Sequence, residues 1–154
     1  MPHQPTIRRA KISDLKSLYE IEVECFSGEA FPPSLIRRFL EDSRFITLVA
    51  VLGDKIVGFI AALIEGFVEE KAGHVYSIDV KPSYRRMGVG SSLLKSLEEN
   101  LREAGVKICY LETCRDNLAA VSFYLKNGYR ACKILKNYYG AGRDGVRFVK
   151  RIGD

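Results

Sequence analysis

The 154-residue sequence predicts an α/β fold on a mixed sheet, in the order β-α-α-β-β-β-α-β-α-β-β. Three observations carry this expectation. Apolar residues alternate at period two in short runs and recur at helical spacing in others, and the two kinds of run interleave. A two-residue turn signal, Gly53-Asp54, separates two apolar runs. A strand–helix–strand pattern spans residues 74–114, the arrangement that joins parallel neighbours through a crossover helix. With 47% hydrophobic and 28% charged residues, the chain has enough apolar material for one domain over residues 1–154.

The elements follow in order. Thr6 to Lys11 reads as a first strand. Ser13 stands at an N-cap position before Leu15, Leu18, Tyr19 and Phe26 at near-helical spacing. SGEAFPPS (27–34) ends that helix, because Gly28 and the Pro32-Pro33 pair cannot continue it. Leu35, Ile36, Phe39 and Leu40 mark a short second helix. FITLVAVL (45–52) and KIVGFIAALI (55–64) are the arms of a hairpin about Gly53-Asp54. HVYSIDV (74–80) is a strand whose alternation puts His74, Tyr76, Ile78 and Val80 on one face. Val89, Leu93, Leu94, Leu97 and Leu101 form one apolar helical stripe, with Gly105 placed to end it. VKICYLETC (106–114) is a strand with Tyr110, Glu112 and Cys114 opposite Leu111 and Thr113. Asn117 to Asn127 is a helix stopped by Gly128, and YRACKIL (129–135) and VRFVKRI (146–152) are strands around a turn-rich loop, NYYGAGRDG (137–145).

Composition narrows the function classes. No apolar stretch approaches the roughly 18 residues of a transmembrane helix, so a membrane is not an expected partner. MPHQPTIRRAK at the start lacks the apolar run of a signal peptide. Cys25, Cys109, Cys114 and Cys132 show no CxxC spacing, and His3 and His74 are the only histidines, so no metal site is expected. Scattered through apolar segments, the cysteines read as reduced small hydrophobes of a cytoplasmic protein. The net charge of +5 points to an acidic ligand without choosing among nucleic acid, phosphate and acidic peptide. The pairs Arg8-Arg9, Arg37-Arg38 and Arg85-Arg86 make no basic stripe interleaved with aromatics, which speaks against nucleic acid.

One stretch carries chemistry of its own. In YRRMGVGSSLL (84–94), Gly88 and Gly90 follow a strand and open a helix. A helix start offers N–H groups without intrahelical acceptors and the positive end of the dipole, and bare backbone lets a phosphate approach them. Arg85 and Arg86 add charge on the same turn. There is no GK[ST] and no third glycine, which excludes a Walker loop and the dinucleotide fingerprint. Taken alone, the pair reads equally well as a turn that needs positive φ.

The pattern Arg85-x-x-Gly88-x-Gly90 resembles motif A of the GNAT superfamily of acetyltransferases. LETCRDNLAAVSFYLKNGYR (111–130) resembles their motif B through Asn117, Ala120, Phe123, Tyr124, Gly128 and Tyr129. The resemblance implies a GNAT-like mixed central sheet with helices on both faces, and acetyl-CoA as cosubstrate with no metal. By the same likeness, the coenzyme's pyrophosphate would lie on the amides of Gly88, Val89, Gly90 and Ser91 with Arg85 and Arg86 nearby. Backbone around Ile78 and Val80 would pair with the pantetheine. Asn117 and Tyr124, two helical turns apart, would hold the arm and meet the sulfur.

Within the superfamily, KNYYGAGRDGVRFVK (136–150) is similar to the hairpin of N-terminal protein acetyltransferases, including the ribosomal-protein-alanine type. There tandem tyrosines grip the peptide backbone, here Tyr138 and Tyr139. Gly145 stands where alanine is usual and Phe148 where methionine is usual. SGEAFP (27–32) is similar to their acceptor loop, with Glu29 and Phe31 placed to meet the first residues of the peptide. The resemblance thus implies a protein or peptide N-terminus as acceptor, with an auxiliary subunit or the ribosome as further partners to consider.

The reaction so implied needs a neutral amine. An α-amine titrates near about 7.7–8.0 and a lysine near about 10.4, so a modest base suffices for an N-terminus. Glu112 and His74 are the two candidates, and both stay open. Tyr124 is the candidate acid for the leaving thiolate. Cys114 shares the Glu112 face and offers an acetyl-enzyme route, whereas the resemblance implies direct transfer. Two other functions fit the sequence: a lysine or small-amine acetyltransferase of the same fold, and a basic module that binds coenzyme A or nucleic acid without catalysis.

Overall fold

A computed structural model of the chain describes residues 4–67 and 70–154; His3 lies outside them. The order is β1 (Thr6–Arg9), α1 (Leu15–Phe26), α2 (Pro33–Glu41), β2 (Phe45–Leu52), β3 (Lys55–Phe67), β4 (Glu70–Val80), α3 (Val89–Glu103), β5 (Ile108–Cys114), α4 (Leu118–Lys126), β6 (Arg130–Leu135) and β7 (Gly145–Arg151). This is the order read from the sequence. The seven strands form one sheet, β1-β2-β3-β4-β5-β7-β6. All neighbours are antiparallel except β4 and β5, the pair that the crossover through α3 required. No helix among the described residues is long and apolar enough to cross a membrane.

Boundaries moved for local reasons. Asp14, not Ser13, stands at the N-cap position of α1, with no side-chain bond to that helix: a 3-10 turn over Ile12–Asp14 precedes it, and the Asp14 carboxylate instead accepts the Lys11 N–H at 2.8 Å and Arg8 Nη1 at 2.8 Å. Pro33 opens α2 at its first position, where a missing N–H costs nothing. The strand expected at 74–80 is the second half of β4, whose first half pairs with the far end of β3.

Helices α1 and α2 cover one face of the sheet, burying Leu18, Ile21, Ile36 and Phe39 against Phe45, Val49, Phe59 and Ala61. Helix α3 covers the other, burying Leu93, Leu94, Leu97 and Leu101 against Ile46, Leu48, Ile60 and Val75, with Tyr124 of α4 in the same core. Leu97 is fully buried, and its truncation to alanine costs about 2–5 kcal/mol. At Gly73 a Cβ would lie 2.7 Å from Leu101 Cδ1, so the bare backbone of β4 sets how closely α3 can seat.

Two irregularities shape the site. Ala61 pairs with Ser77 and Ala62 with Val75, so Tyr76 is an extra residue in β4, a β-bulge. A bulge resets alternation. His74 and Tyr76 face the α1–α2 layer, and so do Ser77 and Asp79, whereas Val75, Ile78 and Val80 face α3. The expectation that His74, Tyr76, Ile78 and Val80 share a face is therefore corrected: period two held only up to the bulge. The second irregularity is a splay. β4 and β5 pair only over Ala72–His74 and Ile108–Tyr110. Beyond this, β4 continues against β3 as far as Val80, and β5 continues against β7 as far as Cys114. A cleft opens between them.

Candidate active site

The cleft has its apex at His74 and Tyr110, the last paired residues of β4 and β5. His74 sits between two carboxylates: Nε2 lies 2.6 Å from Glu112 Oε1 and Nδ1 lies 2.9 Å from Glu65 Oε1. Its ring stacks on Tyr110 with centroids 4.3 Å apart, and Tyr110 donates its hydroxyl to Glu65. The second oxygen of Glu112 accepts Arg147 Nε–H at 2.7 Å, because Glu112 and Arg147 are directly opposed across β5 and β7. The two base candidates of the sequence are thus one unit.

An imidazole with a carboxylate on each nitrogen satisfies both contacts only when both nitrogens carry protons. Burial works against that charge, but the hydrogen bonds and charges of Glu112 and Glu65 outweigh it, so the His74 pKa is raised. For Glu112, burial pushes the carboxyl up, yet hydrogen bonds from His74 and Arg147 prevail and its pKa is lowered. The two groups titrate together, and an apparent pKa belongs to the pair.

Tyr124 projects from α4 into the core of the opposite face, 7% exposed, packed on Phe123, Tyr129 and Phe148. Burial raises its phenol pKa, the nearby Tyr139 and Asp79 add to the effect, and no hydrogen bond enters. Tyr124 therefore stays protonated at neutral pH.

The two loops expected to receive an acceptor meet across the cleft. Arg143 Nη1 donates to Glu29 Oε1 at 3.1 Å, tying the β6–β7 loop to the loop between α1 and α2. In the first loop, Asn137 organises the turn: its N–H donates to Asp144 Oδ1 and its Oδ1 accepts the Gly142 N–H, both at 2.9 Å. The rings of Tyr138 and Tyr139 lie edge to face, 5.0 Å apart. At Gly145 a Cβ would come 3.1 Å from both Tyr138 Cβ and Tyr139 Cε2, so glycine there lets the tyrosine pair sit close on β7. In the second loop, the Phe31 N–H donates to Glu22 Oε2 at 2.9 Å and its ring meets Phe39 edge on, 6.0 Å away.

Residues 15–129 match the Acetyltransferase (GNAT) family. The chain belongs to the GNAT family. It is 34% identical over 146 residues to an uncharacterized N-acetyltransferase of Methanocaldococcus jannaschii, covering 94% of this chain and 90% of that protein. It is 31% identical over 147 residues to the N-alpha-acetyltransferase of Sulfurisphaera tokodaii, covering 90% and 87%. Among solved structures, the ribosomal-protein-S18-alanine N-acetyltransferase of Escherichia coli superposes with a TM-score of 0.85 at 24% identity, covering 97% of this chain and 95% of that one. Arabidopsis thaliana NAA60 in complex with acetyl-CoA superposes with a TM-score of 0.85 at 19% identity, covering 96% and 98%. The seven-stranded sheet with helices on both faces is the GNAT fold.

In this GNAT chain the glycine pair serves two needs. Gly88 takes φ of 80°, the left-handed cap from which α3 starts. Gly90 answers to packing: a Cβ there would lie 3.2 Å from Phe123 Cζ of α4. The first bond onto the cap is Ser92 N–H to Gly88 O, so the N–H groups of Val89, Gly90 and Ser91 have no acceptor within the helix. The space at Gly88 is open, since a Cβ there would meet nothing within 4 Å, and donors of this kind at a helix start suit an anion such as a pyrophosphate. Ile78 and Val80 line the cleft on the α3 face, and the β4 backbone edge toward β5 has no strand partner beyond His74.

The other expected cofactor contacts are placed as follows. Arg85 folds back along β4, donating Nε–H to Val80 O at 3.1 Å with Nη2 3.5 Å from Cys25 Sγ, instead of lying over the α3 amides. Arg86 holds φ of 63° beside Gly88. Asn117 caps α4, its Oδ1 accepting the Ala120 N–H at 3.1 Å, which leaves its amide NH₂ to reach a ligand. Cys114 shares the Glu112 face as expected.

Sequence reading missed Glu65, Tyr110, Arg147 and the buried Glu22. A glutamate closing the apolar run of β3 was the one local signal for Glu65. Arg147 announced itself only through register, which no local pattern supplies.

Proposed function

We propose that this GNAT acetyltransferase transfers the acetyl group of acetyl-CoA to the N-terminal α-amine of a protein or peptide. The observation that carries this is the Glu65–His74–Glu112 unit at the apex of the cleft, with the Tyr124 phenol on its other side. The tandem tyrosines of the facing loop and the names of the relatives support the acceptor class.

Acetyl-CoA supplies an activated thioester. The α3 amides of Val89, Gly90 and Ser91 would hold its pyrophosphate, and the β4 edge near Ile78 and Val80, which has no strand partner there, its pantetheine. Tyr138 and Tyr139 would bind the acceptor backbone, with Glu29 and Phe31 at its first residues. Once His74 has lost its second proton, the His74–Glu112 unit accepts the proton of the attacking amine. Burial disfavours charge on His74, but the hydrogen bonds and charges of Glu112 and Glu65 outweigh it and raise its pKa, which strengthens it as a base for an amine proton. The amine nitrogen forms the new C–N bond, the C–S bond breaks, and Tyr124 gives its proton to the leaving thiolate. Ribosomal proteins and a cytoplasmic setting belong to this reading, as does an auxiliary subunit or the ribosome as partner.

The test is a peptide panel varied at the first two residues. Free N-termini should react, and N-terminally blocked peptides with an internal lysine should not. Equal turnover of the blocked peptides, or of free small amines insensitive to Tyr139→Ala, would move the assignment to another acceptor.

A further inference from the structure

Beneath the acceptor loop lies a second carboxylate centre that the reaction above does not use. Glu22 of α1 and Asp79 of β4 are each 1% exposed, and Ser77 is buried between them. Ser77 Oγ lies 3.1 Å from Glu22 Oε1 and 2.7 Å from Asp79 Oδ1. Glu22 Oε2 accepts the Phe31 N–H at 2.9 Å. Asp79 Oδ2 is buried without a partner.

A serine has one hydroxyl proton, so it cannot donate to two carboxylates at once. The two short contacts are reconciled when one acid is protonated. Glu22 receives donors on both oxygens; Asp79 has an oxygen that receives none. The proton therefore rests on Asp79, which donates to Ser77, which donates to Glu22, whose charge is then free to hold Phe31.

We propose that Glu22 is a positioning residue for the acceptor, fixing the 27–32 loop against β4 through Phe31, with the Asp79 proton keeping Ser77 turned toward Glu22. This rests on the reading of residues 27–32 as an acceptor loop. The groups that face Asp79 agree with it. Glu22 and Cys25 approach from α1, Arg85 from the loop before α3 and Tyr124 from α4, while its β3 partner Phe59 carries no charge. Only the Ser77 hydrogen bond and the Arg85 charge oppose protonation, and the Arg85 guanidinium is exposed and bonded to Val80 O. Burial and the neighbouring Glu22 hold the Asp79 acid well above the carboxylate range. When Asp79 does ionise at alkaline pH, Ser77 is pulled to it, Glu22 loses a donor, and the loop loosens.

The experiment pairs amide exchange at Phe31 with peptide kinetics across pH. In Glu22→Ala the Phe31 amide should exchange at least about tenfold faster while the core amides of Val49 and Ala61 keep their protection. Peptide KM should rise about tenfold with kcat within about twofold. Glu22→Gln should restore both, because its amide oxygen can accept the Phe31 N–H. Asp79→Asn should hold peptide KM flat at alkaline pH, where that of the unmodified protein climbs. Unchanged Phe31 exchange in Glu22→Ala, or no rescue by Glu22→Gln, overturns the proposal. If Glu22→Ala does not fold, coincident KM–pH curves for Asp79→Asn and the unmodified protein overturn it. A chain that acetylates no free N-terminus sinks the acceptor assignment alone, since exchange at Phe31 still judges the latch without any acceptor.

Discussion

Glu112 and Asp79 are both buried carboxylates that border one cleft, and both meet the α1–α2 face of the sheet. Glu112 is flanked by cations, His74 at 2.6 Å and Arg147 at 2.7 Å, and its pKa is lowered. Asp79 is flanked by another carboxylate and a serine, with one oxygen unpartnered, and its pKa is raised. Burial pushes both in the same direction, so the difference lies in the partners. An ionised carboxylate at the cleft apex can serve proton transfer, while a neutral one beneath the loop can serve as a hydrogen-bond donor.

The largest break in this contrast should come from Glu112→Gln. Removing the charge that holds the proton-accepting unit should lower kcat about 10²–10³-fold. The His74 pKa should fall in the same variant, as read by NMR titration. If kcat is unchanged, the apex centre is structural, like its neighbour. Tyr124→Phe should lower kcat about 10²-fold and leave thermal unfolding nearly unchanged, because the phenol makes no hydrogen bond that its loss would orphan.

Stability against pH separates the two centres by sign. Asp79 has a raised folded pKa, so the native chain holds more protons than the unfolded one between the ordinary carboxylate range and that raised value. Its contribution is full below that range and falls as pH rises through the window. Glu112 has a lowered pKa, so its contribution is full above the ordinary range and is lost as pH falls through the folded value. The unfolding free energy of Asp79→Asn from urea titration should gain on that of the unmodified protein from pH 5 to pH 8, by at most about 1.4 kcal/mol per pH unit. A constant difference would mean that Asp79 is ionised in the fold.

Glu65→Gln tests the third carboxylate. It removes one of the two charges that raise His74, so the acidic limb of kcat/KM should move to lower pH with the plateau nearly kept. The smallest effect belongs to the rim. Arg143→Ala breaks an exposed, solvent-screened pair with Glu29, and thermal unfolding should stay nearly unchanged. Its trace should be peptide KM that no longer responds to salt.

Much of this site was legible in the chain because it is local. Gly88 and Gly90 before an apolar stripe, Asn117 at a cap, Tyr124 two turns on and the Tyr138-Tyr139 pair are patterns within one element or one loop. The order of elements was legible for the same reason, since periodicity and turn chemistry act over a few residues. Even so, the sequence offered Gly90 only a ligand or a turn, whereas Phe123 of a different helix supplies a packing reason for it.

What needed the tertiary structure was register and depth. The bulge at Tyr76 turns Ile78 and Val80 away from His74, and alternation cannot foresee an extra residue. The pairing of β5 with β7 sets Arg147 opposite Glu112, and the short parallel ladder of β4 with β5 brings His74 to the same carboxylate. These join residues far apart in the chain through backbone hydrogen bonds that carry no residue label. Charge states followed from burial and neighbours, neither of which a residue type discloses. The sequence by itself determined the elements, their order and the residue types of the chemistry; the tertiary structure decided which of those residues meet, and which of two buried acids keeps its proton.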